Sequence, residues 1–230
     1  MYFNNYQHLK NNETFVLIFL ILISIIVRIP IVLIFGDTGG ELSGFKGSGL
    51  EDEWTTLVRN LIEHQTLAYW SFDGLLLPSL FMPPLYAYYL YFFSIFNLEE
   101  QNYIQLIFFS QILISALSVI VFYKINKIFF SQKISFYSSL LFSLFPLHVF
   151  ACSQISSISL QILFTLLFYY FFFQLIKKIN FLPILFFSFT SGLLILLRGE
   201  FVVILFLSLA YLFLLFKIPI KNILLIIFVT

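Results

Sequence analysis

Long apolar runs separated by short polar punctuation fill most of the chain, and their lengths decide what it is. Residues 15–35 supply about the 20 apolar positions needed to cross a bilayer, behind a polar start, residues 1–14, that carries Lys10. Further apolar runs follow at 84–96, 103–123, 134–150, 160–176, 181–197, 201–216 and 223–230, and the last is cut off mid-span. The predicted architecture is all-α: a polytopic membrane helical bundle in a single domain over 15–230, expected to be incomplete at its C-terminus. The first run reads as a retained span, because Arg28 interrupts its core and no small-x-small cleavage site follows it.

One stretch breaks the pattern. Residues 36–83 are hydrophilic and carry seven of the 11 acids against only Lys46 and Arg59. Basic residues in short loops tend to stay cytoplasmic, and here they gather at Lys124, Lys127 and Lys133, at Lys177 and Lys178, and at Lys217 and Lys221. These clusters are expected to share the cytoplasmic side with residues 1–14, which places loop 36–83 outside. Strict alternation would then need 84–96 not to cross. Its 13 residues are short of a span, so it is expected to be re-entrant or embedded.

Within the loop, Ser48 followed by Glu51 is a capping-box signal. The helix it opens repeats Leu50, Trp54, Leu57, Val58 and Leu61 at 3.6-residue spacing, with Asp52, Thr56, Arg59 and Glu63 on the opposite stripe. Such a helix is expected to lie in the interface, apolar side down and carboxylates toward water. Asp52 and Glu53 fall in its first turn, where unpaired backbone N–H groups favour an ionised carboxylate. That keeps a base deprotonated at neutral pH. The same acids would equally serve to complement the helix dipole and solvate the loop.

Composition narrows the class. With 61% hydrophobic and 10% charged residues, 33 Phe and a mean hydropathy of +1.02, the chain lies far outside the range of soluble globules. A net charge of +1 without a basic patch sets nucleic-acid binding aside. Cys152 stands alone, so no disulfide framework or cysteine metal cluster forms within the chain. The excess of Phe, Ile, Asn and Lys over Ala, Gly and Arg points to an AT-rich genome, and a bacterial inner membrane is the expected location.

Arg28 and Arg198 change the picture again. A guanidinium in a span costs at least about 2.5 kcal/mol at mid-bilayer unless it pairs or reaches water, which makes both functional candidates. A cation lining a cavity under an acidic loop would suit a phosphate-bearing ligand. Pro83-Pro84-Leu85-Tyr86 reads as a helix start, since proline is tolerated in a first turn. His148, after Pro146 near a span end, reads as an interfacial residue and not as a metal ligand. Metal use is open: Asp52 and Glu53 are candidates for a divalent cation, but neighbours on a helix point about 100° apart and a chelate needs further ligands.

In order, these features are an Arg in the first span, Glu51-Asp52-Glu53-Trp54 running into Val58-Arg59-Asn60-Leu61, then Pro83-Pro84-Leu85-Tyr86, then a span closing on Leu197-Arg198. That order resembles the GT-C membrane glycosyltransferases, in particular glycosyltransferase family 39, the dolichyl-phosphate-mannose protein mannosyltransferases and the bacterial aminoarabinose transferases. The resemblance implies an inverting transferase that moves a sugar from a polyprenyl-phosphate donor to a lipid or protein acceptor on the exterior face. It makes Asp52 and Glu53 the catalytic carboxylates and assigns substrate binding to Arg28, Arg59, Pro84, Tyr86 and Arg198. Gln161 stands where relatives place a Glu. That substitution leaves a second class in view, a truncated or non-catalytic member that binds or transports lipid-linked sugar. A third is a structural subunit whose acidic loop is a docking surface.

Overall fold

The computed structural model of the 230-residue chain describes residues 2–36, 52–68, 71–72, 75–78 and 83–230. Ten α-helices follow one another among these residues: α1 (Tyr2–Phe35), α2 (Asp52–His64), α3 (Pro84–Ser94), α4 (Glu100–Phe129), α5 (Gln132–Ser143), α6 (Pro146–Phe150), α7 (Ile158–Lys177), α8 (Phe181–Leu197), α9 (Phe201–Leu214) and α10 (Ile220–Val229). A two-residue antiparallel ladder, β1 (Ser71–Phe72) with β2 (Leu75–Leu76), sits between α2 and α3. The chain is an all-α membrane bundle. Among the described residues three helices are long and apolar enough to cross a bilayer, at Glu13–Phe35, Gln101–Phe129 and Ile158–Lys177, and α5 with the segment Pro146–Ser153 forms an apolar pair bent by 56°, the geometry of a broken span or a re-entrant loop.

Side-chain contacts orient the helices. Glu13 meets Lys127 at 2.8 Å, while Gly36 lies against Phe108, so α1 and α4 run antiparallel. Both ends of 36–100 therefore lie at the same end of the bundle, and the short α3 makes no net crossing. At the opposite end Phe129 packs on Phe173 with ring centroids 4.9 Å apart, and Phe172 meets Tyr211 at 6.0 Å. The C-terminal halves of α4, α7 and α9, each leading into basic residues, thus point the same way.

Two apolar centres hold this arrangement. One joins Phe168, Phe187, Leu194, Leu205, Leu212 and Ile226 from α7 to α10. The other joins α2 and α3 to the rest: Trp54, Leu57, Val58, Leu61, Tyr86 and Leu90 with Ile107, Ile155, Leu160 and Leu197. The amphipathic helix is present, but its apolar stripe is covered by protein and not by lipid. Trp54, Leu57, Val58 and Leu61 are at most 5% exposed. The hydrophobic period fixes which face is buried and carries no information on whether side chains or acyl chains cover it. Side chains of this size contribute about 1.5–3 kcal/mol each when removed from water, so α2 is anchored by that face. Its far end closes in an αL turn, with Gln65 left-handed at φ 53° and its N–H donating to the Leu61 carbonyl at 3.2 Å.

The run 134–150 is broken where the pattern predicts one span. Pro146 has no N–H to donate and its ring excludes the helical path of the preceding turn, so α5 stops at Ser143 and α6 restarts at Pro146. Ser135, Ser139 and Ser143 form a fully buried stripe on α5, and their small volume lets it approach its neighbours closely.

Candidate functional site

The helical break creates the first polar centre. Inside a bilayer a carbonyl released from its helix must find another donor, and Arg28 supplies it. Its Nη1 donates to the Ser143 carbonyl at 3.1 Å and to the Ser24 carbonyl at 2.9 Å, and its Nε donates to Ser115 Oγ at 2.7 Å. Nη2 lies 3.1 Å from His148 Nδ1, while His148 Nε2 lies 2.7 Å from Ser115 Oγ. An arginine only donates, so His148 accepts at Nδ1 and carries its proton on Nε2, directed at Ser115. Arg28 and Ser115 are wholly buried and His148 is 2% exposed.

Two expectations are corrected here. Arg28 does not line a cavity beneath the acidic loop, because four acceptors from three other segments of protein and its own helix enclose it. His148 is not interfacial, because the chain turns inward at Pro146 and the ring is drawn to the buried guanidinium. A proline inside an apolar run was the available signal: it forecasts released carbonyls, and a lone arginine in an adjacent span is a donor for them.

The second centre lies at the loop end. Helix α2 begins at Asp52, which puts Asp52 and Glu53 in its first turn; their side chains, and the Ser48 and Glu51 of the capping box, lie outside the described residues. Trp54 follows immediately and packs edge-on against Tyr86, with centroids 4.7 Å apart. Pro84 opens α3 as expected. Tyr86, read as a substrate-binding residue, is instead a core residue at 1% exposure whose hydroxyl accepts from Gln111 Nε2 at 3.2 Å. It sits two residues into α3, where the side chain meets Trp54 of α2 and Gln111 of α4. Arg59 is exposed on the polar stripe of α2.

Arg198 caps α8 in an extended conformation, its N–H donating to the Leu194 carbonyl at 2.7 Å. The preceding Leu197 is buried in the same apolar centre as Trp54 and Tyr86. The Arg198 side chain is half-buried, and among the described residues its guanidinium makes no hydrogen bond or ion pair. Through that apolar centre α3 links the amphipathic α2 to the end of α8 that carries Arg198. Arg28 is reached from there only through the interior.

A groove of about 580 Å³ runs between the second half of α1 and the first half of α4, lined by Val32, Leu33, Gly36, Gln105, Phe108 and Ile112 among others. Gly36 shapes it: a methyl group there would collide with the Val32 carbonyl and stand 3.0 Å from Phe108. Among the described residues no three His, Cys, Asp or Glu side chains gather as a metal site. Cation binding at Asp52 and Glu53 concerns side chains outside them.

No curated protein and no solved structure matches the chain. A family model described as dolichyl-phosphate-mannose-protein mannosyltransferase matches residues 82–229, from the approach to α3 through α10, and leaves α1 and α2 ahead of the matched segment. That match spans well over half of the chain, and the chain belongs to this family of GT-C membrane glycosyltransferases.

Proposed function

We propose that the chain is the part of an inverting glycosyltransferase that moves a sugar from a polyprenyl-phosphate donor to an acceptor hydroxyl of a lipid or protein, on the exterior face of a bacterial inner membrane. The observation that supports this reading is that one apolar centre holds both Trp54, which follows the acidic first turn of α2, and Leu197, which precedes an arginine whose side-chain donors are unoccupied among the described residues.

The chemistry needs those two parts. Polyprenyl phosphate is a ready leaving group, so the acceptor hydroxyl is what requires activation. A carboxylate within hydrogen-bond reach, Asp52 or its neighbour Glu53, takes the hydroxyl proton as the oxygen attacks the anomeric carbon. The bond from that carbon to the phosphate oxygen breaks on the opposite face, and configuration inverts. The departing phosphate keeps the electron pair, and its charge is met by Arg198 with Arg59 in support. Pro84 fixes the opening of α3 beside them. Arg28, with its donors directed to protein, is not assigned to the phosphate.

Asp52→Asn is the test. Transfer from a radiolabelled polyprenyl-phosphate sugar in reconstituted membranes is expected to fall by about 10²–10⁴-fold with insertion intact. Wild-type transfer by that variant removes Asp52 from the mechanism.

A further inference from the structure

The buried Arg28 cluster and the acidic turn of α2 are joined by an unbroken line of contacts. His148 holds Arg28 through Nδ1 and Ser115 through Nε2. One turn before Ser115 on α4 stands Gln111, 1% exposed, and Cys152 Sγ bridges the two levels by lying 3.7 Å from the His148 carbonyl and 3.8 Å from the Gln111 carbonyl. Gln111 Nε2 donates to the Tyr86 hydroxyl, and the Tyr86 ring meets Trp54. Trp54 follows Asp52 by two residues. Five segments of the chain (α1, α6, α4, α3 and α2) are tied in series, and each link is buried.

A stack of close-packed, hydrogen-bonded side chains in a dry interior has few alternative arrangements. Among the described residues the Gln111 Oε1 is buried without a partner, so the amide is held there through Nε2 alone and its placement depends on the backbone levels that Cys152 and Ser115 define. We propose that His148 is a positioning residue: by clamping Arg28 to Ser115 across the Pro146 break it fixes the depth of Gln111 and Tyr86, and thereby seats Trp54 and the first turn of α2. This deepens the reading of that turn as the catalytic element, but the seating itself can be measured without turnover.

The two imidazole nitrogens can be mimicked separately. His148→Asn keeps an acceptor near the Nδ1 position, facing Arg28, whereas His148→Phe fills the volume and keeps neither bond. Trp54 reports on the seating, and since the chain has 2 Trp, a Trp70→Phe background leaves it alone. Acrylamide quenching of the purified full chain in detergent is the measurement. His148→Phe is expected to raise the quenching constant of Trp54 at least about two-fold, with the emission maximum moving to the red, and His148→Asn is expected to stay near the parent. Quenching that is unchanged in His148→Phe, or raised equally in both variants, overturns the proposal. Should His148→Phe not fold, Gln111→Met cuts the next link, where the same rise supports the coupling and parent-like quenching overturns it. If the variants behave as stated while Asp52→Asn transfers sugar normally, the coupling stands and the catalytic assignment fails.

Discussion

Two arginines, Arg28 and Arg198, interrupt apolar runs in similar ways, and the fold treats them oppositely. Arg28 lies at full burial with acceptors on both sides of a helical break. Arg198 ends a helix, half-buried, and its guanidinium makes no hydrogen bond or ion pair among the described residues. A guanidinium with four of its five N–H groups directed at protein acts by holding helices together, and one whose N–H groups meet no acceptor among the described residues is placed to meet something that arrives. The difference is one of surroundings, since both residues carry the same charge.

That contrast is broken most forcefully at the catalytic turn and at the inner arginine. Asp52→Asn, with its predicted loss of orders of magnitude in transfer and no loss of folded protein, marks the loop end as chemical. Arg28→Ala acts on stability: it takes the guanidinium away from the Ser143 carbonyl, His148 Nδ1 and Ser115 Oγ, leaving Ser115 only its bond to His148, and hydrogen bonds to charged groups are worth about 1.5–3 kcal/mol each. A thermal midpoint depressed by many degrees, or no recoverable monodisperse protein, is the expected result. An Arg28→Ala protein with the parent midpoint shows that the enclosure does not hold the fold.

Arg198→Gln reverses the pattern. Transfer is expected to fall about 10²–10³-fold, while the midpoint stays within the small range expected of a surface change. Smaller still is Tyr86→Phe, which removes one hydrogen bond from Gln111 and costs about 0.5–1.5 kcal/mol, read in the same thermal assay. The smallest effect belongs to Glu13→Gln. Its pair with Lys127 is about a third exposed on each side, and pairs of that kind contribute about 0–1 kcal/mol. A large loss there would mean that the basic end is held by charge and not by the Phe129, Phe172 and Tyr211 ring contacts.

Hydrophobic run lengths made most of the bundle legible. Five of the observed helices, α3, α7, α8, α9 and α10, match predicted apolar runs to within three residues at each end, while α1 and α4 extend beyond theirs into polar sequence, because an apolar run marks the part of a helix that is kept from water and not where the helix ends. The amphipathic α2 was legible as a face, through Trp54, Leu57, Val58 and Leu61, but its covering was not, since the same stripe suits lipid and α3 equally. The break at Pro146 was visible as a residue and missed as an event. Whether a proline kinks a span, ends it or folds it back depends on who takes the released carbonyl, and the taker, Arg28, is 115 positions away in sequence from Ser143. Long-range donors of this kind leave no periodicity. Tyr86 and His148 were misplaced for the same reason: their partners, Gln111 and Arg28, come from other helices.

The central claim is that the loop end, and Arg198 in particular, receives the phosphate of a lipid carrier. Titrating purified protein with polyprenyl phosphate and following its thermal midpoint tests this without an acceptor or a sugar. The parent chain is predicted to be stabilised in a saturable way and Arg198→Gln to lose at least about ten-fold in apparent affinity. An Arg198→Gln protein that binds polyprenyl phosphate as tightly as the parent would contradict the account.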